Sequence, residues 1–183
     1  MSTSLIREHR ATLPSGRERT FGKEEVIVSK TDLKGRITYA NEVFCRVADF
    51  QPEELIGAPH SIVRHPDMPR CVFKLLWDTI SAGNEIFAYV KNMARNGDHY
   101  WVLAHVTPTF DKAGEIVGYH SNRRCPERTA IQTIEGIYRD LLAIEKSHST
   151  GPTGIAASSK AVLDLLESKG ITYDQLFFSI TPA

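Results

Sequence analysis

Apolar and polar positions change period twice along this chain of 183 residues. Residues 1–22, which include Pro14, Ser15 and Gly16, show little periodicity and read as a mobile N-terminal cap. Val26 to Ser29 and Ile37 to Tyr39 are β-prone, and Leu33-Lys34-Gly35-Arg36 turns between them, so a first hairpin is expected. Asn41 to Ala48 is short and amphipathic. Pro52, Glu53 and Glu54 suit a first helical turn that Gly57 stops. Val72, Leu75, Leu76 and Ile80 then recur at helical spacing up to Gly83. Three strand-like segments follow, at 85–93, 99–110 and 116–123, separated by the turns Asn96-Gly97 and Lys112-Ala113-Gly114. The order of two strands, several short helices and three strands defines one α+β domain over residues 23–126.

The tail has another rhythm. Ile131, Ile134, Tyr138 and Leu141 fall on one stripe, which predicts an amphipathic helix over 127–146 that needs a surface to pack on. Residues 147–158 are rich in Ser, Thr, Gly and Pro and read as a linker. Short helices are expected over 159–183. One runs from Ala161 to Lys169, stopped by Gly170. The other is signalled by Thr172 and Gln175 as a capping box, with Ile171 and Leu176 as a staple, and ends near Phe178.

Composition narrows the function classes. Lys plus Arg and Asp plus Glu both number 22, which argues against nucleic acid or an anionic membrane as the main partner. Nowhere does an apolar run approach the roughly 20 residues of a membrane span, so direct membrane insertion is not expected. The start of the chain has no apolar signal core. Cys45, Cys71 and Cys125 are widely spaced and odd in number, which fits neither a zinc motif nor a disulfide framework. They read as small buried hydrophobes of a reduced, cytoplasmic protein.

Chemistry concentrates in Arg64-His65-Pro66-Asp67-Met68-Pro69, where a fixed cation, an imidazole and a carboxylate lie within four positions between stiffening prolines. With Tyr39-Ala40-Asn41, Tyr89-Val90-Lys91-Asn92 and Asn96-Gly97-Asp98-His99-Tyr100-Trp101, this run closely resembles the PAS domains of bacterial aerotaxis and energy-taxis receptors. That likeness covers about residues 26–125. Glu85 to Asn92, Tyr138-Arg139-Asp140-Leu141-Leu142 and Tyr173-Asp174-Gln175-Leu176-Phe177 extend it to the soluble single-PAS proteins of bipartite energy-taxis systems. The resemblance implies a PAS fold, with a five-stranded antiparallel sheet and short helices enclosing a cofactor pocket, plus C-terminal helices. It implies FAD as cofactor, redox sensing without catalysis, a homodimer, and output to a membrane chemoreceptor or other signalling protein. Its flavin positions fall on Asn41, Arg64, His65, Asp67 and Asn92, with His60 and Trp77 lining or bracing the pocket. Where the membrane-bound receptors carry a Trp near the start of the strand that follows the short helices, this chain has Ile86.

The residues themselves leave alternatives open. Asp67 reads equally as a cap of the following helix or as an ion partner of Arg64. His65 alone reads as a hydrogen-bonded structural histidine. By alternation, Ile86, Ala88, Val90 and Asn92 share an inward face, while Trp101, Leu103 and His105 lie on the outer one. Haem is the alternative cofactor, with His60, His65, His105 and His120 as possible axial ligands. A ligand-free interaction module is the third reading.

Overall fold

The computed structural model describes residues 12–181. Five strands form one antiparallel sheet: β1 (Ile27–Thr31), β2 (Ile37–Ala40), β3 (Ile86–Met93), β4 (His99–Phe110) and β5 (Ile116–Arg124), in the order β2-β1-β5-β4-β3. Between β2 and β3 lie α1 (Glu42–Ala48), α2 (Pro52–Leu55), a single 3-10 turn (His60–Val63) and α3 (Arg70–Ser81). After the sheet come α4 (Arg128–Ser147), α5 (Gly151–Lys169) and α6 (Tyr173–Ile180). This is the expected α+β architecture. Among the described residues no helix is long and apolar enough to cross a membrane.

Sheet pleating divides the core in two. Val102 pairs with Val90, and Tyr100 with Asn92, on the face that the short helices cover; Phe44, Leu55, Val63 and Ile80 close that layer. The opposite face carries Tyr89 and Trp101, both buried. The stripe Ile131, Ile134, Tyr138 and Leu141 of α4 is buried as its spacing demands. Tyr138 stacks on Trp101 at 6.3 Å, and Phe177 of α6 stacks on Tyr89 at 5.0 Å. The tail therefore covers the outer face of its own sheet. Two of its hydroxyls bind β3 directly: Tyr138 donates to the Tyr89 carbonyl at 2.7 Å and Tyr173 to that of Phe87 at 2.8 Å.

Two expectations need correction. Residues 147–158 are not a linker, because α5 begins at Gly151. Thr150 caps it by accepting from the Thr153 amide, and Pro152 sits in its first turn, where a missing N–H costs nothing. The small residues serve packing: a Cβ on Gly154 would lie 2.6 Å from the Glu145 carbonyl oxygen, and Ser158 is fully buried. The described part of the N-terminal segment, residues 12–22, is likewise tied down rather than loose. Ser15 donates to the Gly97 carbonyl and Arg19 to that of His99, while the His99 amide returns a bond to Arg17. Gly97 has a φ of 88° and no room for a side chain, since a Cβ would meet the Leu13 oxygen at 2.4 Å. Residues 1–11 of the expected cap lie outside the described residues. Of the cysteines, Cys71 is buried, whereas Cys45 and Cys125 are half-buried; all three are free thiols.

Candidate functional site

Between the inner face of the sheet and α3 lies a cavity of about 680 Å³. Its sheet side is made by Ser29, Ser121, Tyr119, Val106, Val90 and Asn92, and its helix side by Phe73, Trp77 and Ile80. Ile155 of α5 adds to the wall, so a tail helix completes it. Lys34, Arg64, Arg70 and Lys74 also line the cavity, and among the described residues no acidic side chain does. In a chain whose charges balance overall, the lining is locally basic, although Lys74 is paired with Asp78 beside it at 2.6 Å.

The structure brings four of the seven expected residues to this cavity: His60, Arg64, Trp77 and Asn92. Arg64 lies over the Phe73 ring at 4.2 Å and reaches the Met68 carbonyl at 3.5 Å. Burial, with the neighbouring charge of Arg70, lowers its pKa below the ordinary guanidinium value. It forms no ion pair with Asp67. Asn92 is buried, its backbone bridges to Arg64, and its side-chain amide has no hydrogen-bond partner among the described residues. Trp77 packs edge-on to Tyr119 at 5.5 Å. His60 stacks on Phe44 at 5.8 Å. Its Nε2 lies 2.8 Å from Arg123 Nη2 and 3.2 Å from Ser29 Oγ. Burial first, and the charge of Arg123 second, push its pKa down to about 3.

The other three are not among the lining residues, and each has a local reason. Asn41 commits both ends of its amide to the backbone, accepting from the Val28 and Phe44 amides at 3.0 and 3.1 Å and donating to the Val26 carbonyl at 2.8 Å. It caps α1 and clamps β1. His65 is buried and accepts the Asp67 amide proton at Nδ1, 3.1 Å away. Burial, aided by the charge of Lys91 and opposed by Asp67, lowers its pKa to about 4, so the ring is neutral. Asp67 faces solvent, with Lys91 Nζ at 3.6 Å. It does not cap α3. That role falls to Glu145 of α4, which accepts from the Arg70 and Cys71 amides at 3.0 and 2.9 Å and from the Ser158 hydroxyl of α5 at 3.0 Å. One carboxylate thus joins α3, α4 and α5. On β3 the inward alternation holds, but only Val90 and Asn92 line the cavity, while Ile86 and Ala88 are buried in the core beside it.

Sequence reasoning passed over Arg70, Tyr119, Ile155 and Arg123. For Arg123 a signal existed: it shares the alternation of Tyr119 and Ser121, which puts it on the inward face of β5. The expected haem ligands are dispersed. His60 and His120 line the cavity, whereas His105 sits on the outer face against Phe87 and Glu85. Among the described residues no cluster of His, Cys, Asp or Glu could hold a metal ion.

The PAS fold family matches residues 37–123. Over 120 residues the chain is 41% identical to the aerotaxis receptor of Escherichia coli strain K12, in a match covering 66% of this chain and 24% of the receptor. A nitrogen fixation regulatory protein of Klebsiella pneumoniae is 29% identical over 99 residues, 54% of this chain and 20% of that protein. The chain thus spans about a quarter or less of these curated relatives. Among solved structures, the dark state of the blue-light photoreceptor Aureochrome1 LOV superposes with a TM-score of 0.51 at 22% identity, covering 66% of this chain and 84% of that one. A light-oxygen-voltage domain studied with a flavin analogue gives 0.53 at 16% identity, covering 63% and 86%. Residues 37–123 thus form a PAS domain of the aerotaxis-receptor type.

Proposed function

We propose that this chain is a redox sensor that holds FAD in the cavity beneath its sheet and passes the state of that cofactor to a signalling partner. The observation that carries the reading is the cavity's charge pattern: four Lys or Arg side chains and, among the described residues, no acid around a wall of aromatic and aliphatic groups. A volume of about 680 Å³ falls within the roughly 300–1,000 Å³ of small-molecule sites. Arg64 and Arg70 suit a diphosphate, since a guanidinium binds two phosphate oxygens at once. Phe73, Trp77, Val90 and Ile80 suit a flat apolar ring, and the unpaired amide of Asn92 suits an edge that both donates and accepts. The residues present therefore fit the group. When bound, a flavin supplies a ring that changes charge and protonation with its oxidation state. The chain's own residues orient that ring, screen it from water and hold its phosphates. Haem fits less well, because His60 Nε2 already accepts from Arg123.

The aerotaxis-receptor relative supports a membrane chemoreceptor as the partner, reached from the cytoplasm, and the reading includes a homodimer. With the outer sheet face covered by α4 and α6, the contact surface is the tail's own exterior, where Leu163 and Phe178 are exposed. The test begins by denaturing gently purified protein and identifying released cofactor by chromatography, then titrating the stripped protein with FAD and with riboflavin. FAD is expected to bind at least about tenfold tighter, a difference of about 1.4 kcal/mol. Arg64→Ala with Arg70→Ala is expected to erase that margin and leave riboflavin binding unchanged. Released haem, or no uptake of FAD, refutes the reading. Equal affinity for both flavins removes the phosphate role from the basic mouth.

A further inference from the structure

Arg123 is a buried charge for which the flavin reading has no use. It sits on the inward face of β5 and is 2% exposed. Its neighbours across the sheet are Ile27 on β1 and Ala104 on β4, so no adjacent strand offers a carboxylate. Nε donates to Ser121 Oγ at 3.0 Å, and Nη2 serves both Ser29 Oγ and His60 Nε2. The guanidinium also lies 4.8 Å over the Phe44 ring. Nη1 is buried without a partner among the described residues, as is the hydroxyl of Tyr100. Burying a guanidinium with no counter-ion is costly. Three of its polar neighbours, Ser29, Ser121 and His60, are wall residues of the cavity, so the charge stands directly behind that wall.

A guanidinium can only donate. His60 Nε2, 2.8 Å away, must accept, which leaves the ring neutral with its proton on Nδ1. Arg123 is the charged group in contact with the ring. The other charged side chains lining the cavity, Lys34, Arg64, Arg70 and Lys74, are cations too. His120 and Tyr119 are the remaining titratable residues of the wall, so nothing there offsets Arg123.

We propose that Arg123 is a positioning residue of the cavity: it locks His60 as the neutral Nδ1–H tautomer and charges the inner wall, so that the cavity favours the more electron-rich form of its ligand. The first half is independent of any ligand. The second rests on the flavin reading.

Nitrogen-15 NMR of the imidazole rings in the ligand-free protein tests the first half. Wild type is expected to show His60 Nε2 unprotonated between about pH 5 and 8. Arg123→Met is expected to free the ring, which then carries its proton on Nε2 beside Ser29 Oγ and titrates at a higher pH than in wild type, while burial still holds it below its ordinary value of about 6.5. Arg123→Lys keeps a donor and a charge, and is expected to restore much of the wild-type pattern. A wild-type ring protonated at Nε2 overturns the assignment, and that outcome needs no variant to fold. An Arg123→Met spectrum identical to wild type overturns it too. For the second half, FAD is the probe and the reduction potential the readout. Arg123→Met is expected to lose roughly tenfold in preference for reduced over oxidised FAD, about 30 mV for a two-electron couple. An unchanged potential overturns the charge half. Wild type that takes up no FAD removes the flavin reading and the charge half together, while the ring spectra still judge His60.

Discussion

Glu145→Ala isolates the join between the tail and the cavity wall. The substitution removes an acceptor from two amides at the start of α3 and from the buried hydroxyl of Ser158. Nothing local replaces it, since Pro69, the residue before α3, offers no capping side chain. Loss of a helix cap costs about 1 kcal/mol. The Ser158 hydroxyl keeps the Ile155 carbonyl at 3.1 Å as an acceptor, so losing the carboxylate there adds only about 0.5 kcal/mol. The half-exposed position of the carboxylate keeps both figures at the low end of their ranges. The expected total is about 1.5 kcal/mol, which for a chain of this size lowers Tm by roughly 3–6 °C. Glu145→Gln keeps an acceptor without the charge and is expected to lose about half as much. Hydrogen exchange adds the location: amides of α5 and of the first turn of α3 are expected to exchange faster, while β4 and β5 keep their protection. A Tm within about 1 °C of wild type, with unchanged exchange in α5, would show that packing alone holds the tail and that the carboxylate is dispensable.

Three further outcomes follow from other contacts. Gly154→Ala is expected to destabilise by about 1–2 kcal/mol in chemical denaturation, because overpacking against the Glu145 carbonyl exceeds the gain in helix propensity; stabilisation would mean that the segment is loosely packed. His65 is neutral in the fold with a pKa of about 4, so the unfolded chain takes up its proton first. Its contribution is complete above pH 6.5 and is lost as pH falls towards 4, at about 1.4 kcal/mol per unit; His65→Gln is expected to flatten that limb of the stability–pH curve, and parallel curves would refute the assignment. Tyr138→Phe is expected to cost about 1–3 kcal/mol, since it leaves the Tyr89 carbonyl unpaired under α4; an unfolding midpoint equal to wild type would show that water reaches the carbonyl.

Local pattern carried most of the fold because strands and amphipathic helices announce themselves by period. Alternation placed Val90 and Asn92 inward and Trp101 outward, and the α4 stripe declared that it needed a surface. What stayed illegible depended on partners far along the chain. Ser, Thr and Gly at 147–158 look like a linker until Glu145 is seen pressed against Gly154. Asp67 stands at a plausible capping distance from α3, yet the cap comes from a residue 74 positions beyond Cys71. Asn41 carries the polar chemistry of a ligand site but turns both ends of its amide to nearby backbone. Arg123 and Arg124 are neighbours at a strand end, and only the parity of β5 separates the buried member from the exposed one.

The tail's hold on β3 bears on how this chain meets other chains. β3 and β2 are the two borders of the sheet, and a border strand with free amides and carbonyls invites a foreign strand to add itself. Along β3 the Phe87 and Tyr89 carbonyls are taken by Tyr173 and Tyr138, and the Lys91 amide by the Met68 sulfur at 3.2 Å. Along β2 the Ile37 amide and carbonyl are taken by Ala58 and Gly57. Both borders are stoppered by the chain's own residues. Strand addition at either border would therefore have to displace these contacts, which favours side-chain surfaces for any self-association.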